Sequence, residues 1–117
     1  MQMVLVLKDQ GWRMQVLEST IERACVLIAH DWKCELIKIR AIKGFPDRML
    51  LTPYGTVAFV EFKRPGETLR PLQEHTQSKL ISMNFISLVV DSKEQFKQCL
   101  MDLLRQHGNH TSIKRGG

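Results

Sequence analysis

The stretch Lys43–Gln77 reads KGFPDRMLLTPYGTVAFVEFKRPGETLRPLQEHTQ, and two apolar runs within it predict a β-hairpin at the centre of the fold. The first run, Arg48–Leu51, ends at the Pro-Tyr-Gly sequence 53–55. That sequence predicts a turn, because proline presets one backbone angle and glycine permits a positive φ. The second run, Thr56–Lys63 (TVAFVEFK), is rich in β-branched and aromatic residues and predicts a strand. Both of its faces are apolar until its end, which is typical of a central strand covered on two sides.

Two charged residues, Glu61 and Lys63, lie on one face at the end of the second run, because alternate side chains of a strand point the same way. A carboxylate and an ammonium in such a place are costly to bury without partners. Asp47, on the neighbouring strand of the hairpin, is placed to pair with Lys63 or to share a cation with Glu61. The alternative is a structural salt bridge between Lys63 and one of the acids, with Pro46 only shaping a turn.

The two carboxylates favour a metal-dependent reaction. Carboxylates that lie close together repel each other, and a hard divalent cation relieves that repulsion. Mg²⁺ takes oxygen ligands and commonly uses one or two carboxylates together with substrate phosphate. A bound metal also lowers the pKa of its water towards neutral pH. Lys63 would then orient that water or offset charge that develops at phosphorus. The pattern therefore indicates metal-assisted hydrolysis of a phosphodiester.

Three motifs, GFPDR at 44–48, FVEFKR at 59–64 and LRPLQ at 69–73, resemble the VRR-NUC (virus-type replication-repair nuclease) family. That family belongs to the PD-(D/E)xK nuclease superfamily. The resemblance extends from about Glu18 to Leu104, and the chain resembles a stand-alone, phage-like member of the family. It implies an α/β protein with a restriction-endonuclease-like αβββαβ core.

The same resemblance implies roles for the residues of the hairpin. Asp47 and Glu61 would be direct metal ligands, joined by the backbone carbonyl of Phe62, while Lys63 would orient the attacking water. Gln73 matches the glutamine of the family and would support the metal site. The implied cofactor is Mg²⁺ or Mn²⁺, and the implied catalytic set is Glu22, Asp47, Glu61, Lys63 and Gln73.

The acid of the first helix is open between two residues. Apolar positions at helical spacing predict a helix over residues 17–30, and Glu18 and Glu22, four apart, share one face of it. In nucleases of this kind a first-helix glutamate helps to hold the metal or its water. We choose Glu22 by its place within the helix and keep Glu18 in reserve. Ser19 and Glu22 also have capping-box spacing, in which case Glu22 only caps the helix start.

The remaining elements complete the order helix, three strands, helix, strand, helix. Cys34–Ile42 (CELIKIRAI) predicts a strand, Pro71 suits the first turn of a helix, and Phe85–Val90 (FISLVV) predicts a buried strand. Ser92 opens a last helix that ends at Gly108. The helical crossover into the last strand favours parallel addition to the sheet. We therefore expect one mixed central sheet with helices on both faces.

Basic residues near the hairpin predict contacts with DNA phosphates, which position the nucleic acid without reading its sequence. For the strand 34–42 the alternative is that basic residues deter aggregation at a sheet edge. Gln77 lies one helical turn after Gln73 and shares its face. The predicted DNA-binding residues are Lys38, Arg40, Lys43, Arg48, Arg64 and Gln77.

Composition limits the class of protein. A chain of 117 residues is long enough for one domain with a modest core. The net charge of +5 suits a polyanionic partner, although a moderate surplus of Lys and Arg is equally often a solubility feature. Three cysteines without a CxxC pair argue against a disulfide framework or a zinc site, and no apolar run approaches the roughly 20 residues that span a bilayer. A cytoplasmic location, in a bacterium or a phage-infected cell, is expected.

We predict three parts of the chain: a peripheral segment 1–14, in which Met3–Lys8 could form an extra edge strand; a nuclease domain 15–107; and a flexible basic tail 108–117. The predicted function is a metal-dependent DNA endonuclease. The resemblance implies a substrate of branched DNA such as a four-way (Holliday) junction, and one active site per chain implies a homodimer to cut two strands. The alternatives are a non-catalytic DNA-binding module on a nuclease fold and a sequence-specific, restriction-like endonuclease.

Overall fold

A computed structural model describes residues 3–8, 11–40 and 42–108, with side chains at 17–40 and 42–106. The tail predicted to be flexible therefore lies outside the described residues from position 109 onwards. In the described part no helix is both long enough and apolar enough to cross a membrane. The elements in chain order are β1 (Met3–Lys8), β2 (Gly11–Val16), α1 (Glu18–Asp31), β3 (Glu35–Lys38), β4 (Arg48–Leu51), β5 (Val57–Phe62), α2 (Pro71–Ser82), β6 (Ile86–Val90) and α3 (Lys93–Gly108).

The central sheet has four strands in the order β3-β4-β5-β6. The pairs β3–β4 and β4–β5 are antiparallel, whereas the pair β5–β6 is parallel. The parallel pair follows from the crossover through α2, since a tight turn can join only antiparallel strands. The predicted α/β class and mixed sheet are confirmed.

One face of the sheet carries the hydrophobic core. Leu36, Leu50 and Ala58 are register neighbours on β3, β4 and β5, so their side chains point to the same face. Phe62 lies further along β5 on that face and is also buried. The helices α1 and α3 cover this side through four buried residues, Ile21, Cys25, Phe96 and Leu100.

The other face of the sheet carries α2 and the candidate site. Glu61 and Phe62 are adjacent in β5 and therefore point to opposite faces. Phe62 enters the core, and Glu61 turns towards α2, where Gln73 binds it. Helices thus lie on both faces, as predicted.

Two local expectations are corrected. The strand predicted over 34–42 ends at Lys38. Just beyond it, the Ile39 N–H still donates a hydrogen bond of 2.9 Å to the Asp47 carbonyl. The chain then turns towards Gly44, whose φ is +87°. The capping box between Ser19 and Glu22 is not formed, because the helix already begins at Glu18 and its N-cap residue makes no side-chain hydrogen bond.

The amino-terminal strands β1 and β2 form a separate two-stranded antiparallel sheet, in register from Met3 opposite Val16 to Lys8 opposite Gly11. Met3–Lys8 is therefore a strand, as predicted, but it pairs with β2 rather than with the edge of the central sheet. The partner strand was missed, although its apolar and polar residues alternate in WRMQV at 12–16. The boundary predicted after residue 14 falls inside β2.

Candidate active site

Asp47 is fixed by the backbone of the neighbouring strand. It immediately precedes β4, and its Oδ2 accepts a hydrogen bond of 2.8 Å from the Phe62 N–H near the end of β5. The bond ties the Asp47 carboxylate to the strand that carries Glu61. The Asp47 carboxylate also lies close enough to Glu61 to act on it electrostatically.

Glu61 is only 7% exposed. Burial raises the pKa of its carboxyl to about 8, and the negative charge of Asp47 acts in the same direction, against the opposing charge of Lys63. Two neighbouring carboxyl groups cannot both ionise easily, so the Glu61 carboxyl retains its proton near neutral pH. A divalent cation would relieve the same repulsion, and the Asp47–Glu61 pair therefore fits the hard oxygen-ligated metal that its chemistry predicts.

Lys63 follows Glu61 on the same face and is 6% exposed. The backbone N–H of Lys63 donates to the Val90 carbonyl at 2.9 Å. This bond extends the pairing of β5 with β6 and fixes the direction of the Lys63 side chain. The ammonium acts electrostatically on both Glu61 and Glu18. No described side chain places a carboxylate oxygen within 4.0 Å of Lys63 Nζ, the distance limit for an ion pair. The structural salt bridge considered as the alternative is not formed.

Gln73 connects the start of α2 to the acid pair. Its Oε1 accepts a hydrogen bond of 2.9 Å from the Arg70 N–H, and its Nε2 donates to Glu61 Oε2 at 3.2 Å. The two bonds fix which way the amide faces, so the amide presents a donor to the carboxylate. Gln77 also faces this region, since it lines a small cavity together with Glu61 and Gln73.

The structure places Glu22 away from the acid pair. Its Oε2 accepts a hydrogen bond of 2.5 Å from Arg48 Nε and lies 3.7 Å from Lys38 Nζ. Arg48 also donates to the Leu36 carbonyl at 2.8 Å. Glu22 therefore neutralises the largely buried Arg48 guanidinium at the core face of β3 and β4.

Glu18 is the acid of α1 that lies near the site. Its carboxyl lies within electrostatic range of Lys63, Asp47 and Glu67. Burial first, and then the neighbouring Glu67 carboxylate, raise the pKa of Glu18 to about 7. Glu18, the reserve choice, is therefore the one of the two acids that lies near Asp47 and Glu61, and the metal role of either glutamate stays a prediction.

Glu67 was missed by sequence reasoning. It lies in the loop that follows Lys63, and hydrogen bonds from Arg64 lower the pKa of its carboxyl to about 2. The available indication was the spacing of Arg64 and Glu67 around Pro65-Gly66, which predicts a turn with a charge pair across it. Nothing in the sequence indicated that this turn reaches back to α1.

The site offers few metal ligands from side chains alone. Among the described residues, no group of three or more His, Cys, Asp and Glu side chains is gathered as a ready-made metal site. The expected set uses fewer, with Asp47, Glu61 and the Phe62 carbonyl completed by water and substrate phosphate. Of the other predicted DNA contacts, Arg40 and Lys43 are exposed between β3 and β4, whereas Arg64 binds Glu67.

The structure is similar to a solved VRR_NUC domain, with a TM-score of 0.67 and 20% identity over 72% of this chain and 94% of that domain. The chain therefore has the fold of a VRR_NUC domain, and the resemblance predicted from its motifs is confirmed. A segment of 52 residues, 44% of the chain, is 36% identical to the "Putative nuclease p44" of Acyrthosiphon pisum secondary endosymbiont phage 1. The match spans 56% of the length of that phage protein. No family model matches the chain.

The raised pKa of Glu61 predicts a pH dependence of stability. Between the ordinary value of 4.5 and about 8, the folded protein binds a proton that the unfolded chain has released. The free energy of unfolding therefore falls as pH rises through this range when no divalent cation is present. We expect the urea midpoint in EDTA to fall more between about pH 5 and about pH 8 for the wild type than for Glu61→Gln. Equal falls would contradict the raised pKa.

Proposed function

We propose that the protein is a Mg²⁺- or Mn²⁺-dependent endonuclease that hydrolyses phosphodiesters in branched DNA, such as a four-way junction, and that it acts as a homodimer. The observation that carries the proposal is the acid pair of Asp47 and the buried Glu61, with the buried Lys63 beside it and, among the described side chains, no carboxylate in an ion pair with that lysine. The VRR_NUC fold and the similarity to a phage protein named as a nuclease support the same conclusion.

In this proposal Asp47, Glu61 and the Phe62 carbonyl hold the cation, which when bound supplies a water of lowered pKa and offsets charge on the phosphate. The protein contributes the positions of the ligands. The Phe62 N–H orients Asp47, and the Gln73 amide orients Glu61. Lys63 donates hydrogen bonds to the attacking water or to a phosphate oxygen, where negative charge develops during the reaction.

DNA reaches the site across the loop between β3 and β4. Arg40 and Lys43 are exposed there, and Lys38 is the outer member of the pair with Glu22. Contacts of such residues with phosphates give affinity and register rather than sequence readout. A small domain with phosphate contacts of this kind suits recognition of DNA shape, which is why we favour a structure-specific over a sequence-specific enzyme.

The proposal of a dimer is supported by an apolar area that we call the sheet patch, formed by Ile37, Phe45, Met49, Phe59 and Phe85. Ile37, Met49 and Phe59 are register neighbours on the α2 side of the sheet. Phe45 and Phe85 each pack edge-to-face on Phe59, with ring centroids 5.6 Å apart. Ile37 and Phe85 are 43% and 44% exposed. Uncharged side chains do not suit a phosphate backbone, but a second copy of the patch matches them in a two-fold interface.

We expect Phe85→Glu to convert a dimer into a monomer, because it places a carboxylate in the centre of an apolar contact. Light scattering after gel filtration should give twice the 13.6 kDa chain mass for the wild type and the single mass for the variant. The matched control is Leu27→Glu, which changes a 66% exposed residue on α1, on the opposite side of the sheet. A wild type that stays monomeric, or a control that dissociates equally, would contradict this interface.

The decisive assay for the activity incubates the protein with a synthetic four-way junction and Mg²⁺ or Mn²⁺. We expect paired nicks in opposed strands, and we expect Asp47→Ala to lower the rate at least about 10³-fold while junction binding stays within a few-fold of wild type. A wild type that binds the junction but cuts it with neither metal would favour the non-catalytic module. Cleavage of linear DNA at one defined sequence would favour the restriction-like enzyme.

A further inference from the structure

The loop between β3 and β4 meets the first turn of α2 at Gly44. The Ile42 carbonyl accepts a hydrogen bond of 3.0 Å from the Phe45 N–H, so Gly44 is the third residue of a four-residue turn. Its φ of +87° is one that glycine adopts readily and other residues rarely do. A Cβ atom at Gly44 would lie 2.8 Å from Leu72 Cδ2 and closer still to Leu72 Cγ, which is too close for two carbon atoms. The absence of a side chain at Gly44 therefore leaves the space that Leu72 fills.

Both sides of this contact lead directly to the acid pair. On the loop, Asp47 comes three residues later and accepts the hydrogen bond of 2.8 Å from the Phe62 N–H. On the helix, Gln73 is the next residue and donates to Glu61 Oε2 at 3.2 Å. Because Glu61 and Phe62 are neighbours in β5, the loop and the helix bind adjacent residues of one strand. The spacing between the loop and the helix therefore determines whether both hydrogen bonds can form.

We propose that Gly44 and Leu72 are positioning residues for the reaction. Their contact sets the spacing between the loop that carries Asp47 and the helix that carries Gln73. This inference rests on the proposed function, because it takes Asp47 and Glu61 as ligands of the cation. A side chain at position 44 displaces the loop or the helix, and either displacement lengthens one of the two hydrogen bonds. Changes to the groups that orient metal ligands typically alter metal affinity or activity by about 10- to 100-fold.

The first test compares two glycines of similar backbone conformation, by calorimetric titration with Mn²⁺ and by the rate of junction cleavage. Alanine at Gly66, whose φ is +85°, carries backbone strain similar to that of alanine at Gly44. In the described part of the chain, however, no atom beyond its sequence neighbours lies within 4 Å of the Cβ position of Gly66. We expect Gly44→Ala to weaken Mn²⁺ binding and to slow cleavage about tenfold more than Gly66→Ala does. Equal effects of the two variants would overturn the inference.

A compensating substitution at position 72 distinguishes the contact from a general loss of stability. Leu72→Ala removes the two atoms that a Cβ atom at position 44 would overlap. The double variant Gly44→Ala/Leu72→Ala should therefore bind Mn²⁺ more tightly and cut faster than Gly44→Ala, because the two changes are coupled through one contact. A double variant no better than Gly44→Ala in either measurement would count against the contact as the cause.

Leu72→Ala alone tests the contact in a chain whose glycines are intact. Leu72 is 47% exposed, so the variant should fold, but the loop and the helix are no longer held at one spacing. We expect Mn²⁺ binding to weaken several-fold, whereas the matched control Ile81→Ala, at a 53% exposed residue of the same helix, should bind as the wild type does. Wild-type Mn²⁺ affinity in Leu72→Ala would overturn the inference and leave the proposed function standing. A wild type that neither binds Mn²⁺ nor cuts DNA would overturn both.

Discussion

We expect Glu61→Gln to lower the rate of junction cleavage at least about 10³-fold and, at about pH 8, to make the metal-free protein no less stable than the wild type. The rate falls because a neutral amide replaces a carboxylate ligand of the cation. Stability is retained because the substitution removes a carboxyl group whose ionisation is opposed by burial and by Asp47.

The glutamine at position 61 also fits the hydrogen bonds of the site. Its carbonyl oxygen can accept from Gln73 Nε2, as Glu61 Oε2 does at 3.2 Å, and its amide can donate to Asp47. The loss of activity would therefore report chemistry rather than misfolding. The matched control is Glu35→Gln on β3, where a largely exposed glutamate should tolerate the change in both assays. A Glu61→Gln variant with near-wild-type activity would contradict a ligand role for Glu61.

The second large effect is expected for Lys63→Met, which keeps the length of the side chain and removes its charge. We expect the maximal cleavage rate to fall about 10²- to 10³-fold, the cost of removing one donor that stabilises a developing negative charge. Mn²⁺ binding should be retained or become tighter, because the variant removes a cation that lies near Glu61 and Glu18.

Comparison of Mn²⁺ binding with the cleavage rate distinguishes a catalytic lysine from a structural one. Lys97→Met, on the exposed side of α3, provides a control for loss of one positive charge from the protein. If Lys63→Met lost Mn²⁺ affinity in proportion to its rate, Lys63 would be acting on the shape of the site rather than on the reacting phosphate.

The hairpin could be predicted because its pattern is local. The strand Val57–Phe62 alternates between two buried faces, and period-two geometry alone puts Glu61 and Lys63 on the same side. The position of Asp47 followed from antiparallel pairing across a short turn. The fold class followed from the order of the elements, with the parallel β5–β6 pair dictated by the intervening helix.

The first-helix acid could not be settled by sequence, because it depends on how α1 sits on the sheet. One helical turn separates Glu18 from Glu22, and spacing alone does not show which of the two reaches the site. In the structure Arg48 shares the core side of the sheet with α1 and takes Glu22 as its partner. A sequence gives the charge of an arginine but not the distant acid that neutralises it.

The proximity of Glu67 to Glu18 could not be predicted for the same reason. The two residues are far apart in sequence and belong to a helix and a loop, so no periodic pattern relates them. The loop has a local explanation in its Arg64–Glu67 hydrogen bonds and its glycine, but its approach to α1 depends on the packing of the whole domain.

Anomalous diffraction from crystals grown with Mn²⁺ would test the shared-cation site at Asp47 and Glu61 most directly. We expect a manganese peak within bonding distance of both carboxylates, with Lys63 Nζ facing the open side of the ion, and we expect the peak to disappear in Glu61→Gln. Crystals of the wild type with no manganese at this position, and with Lys63 paired to one of the two acids, would contradict the account.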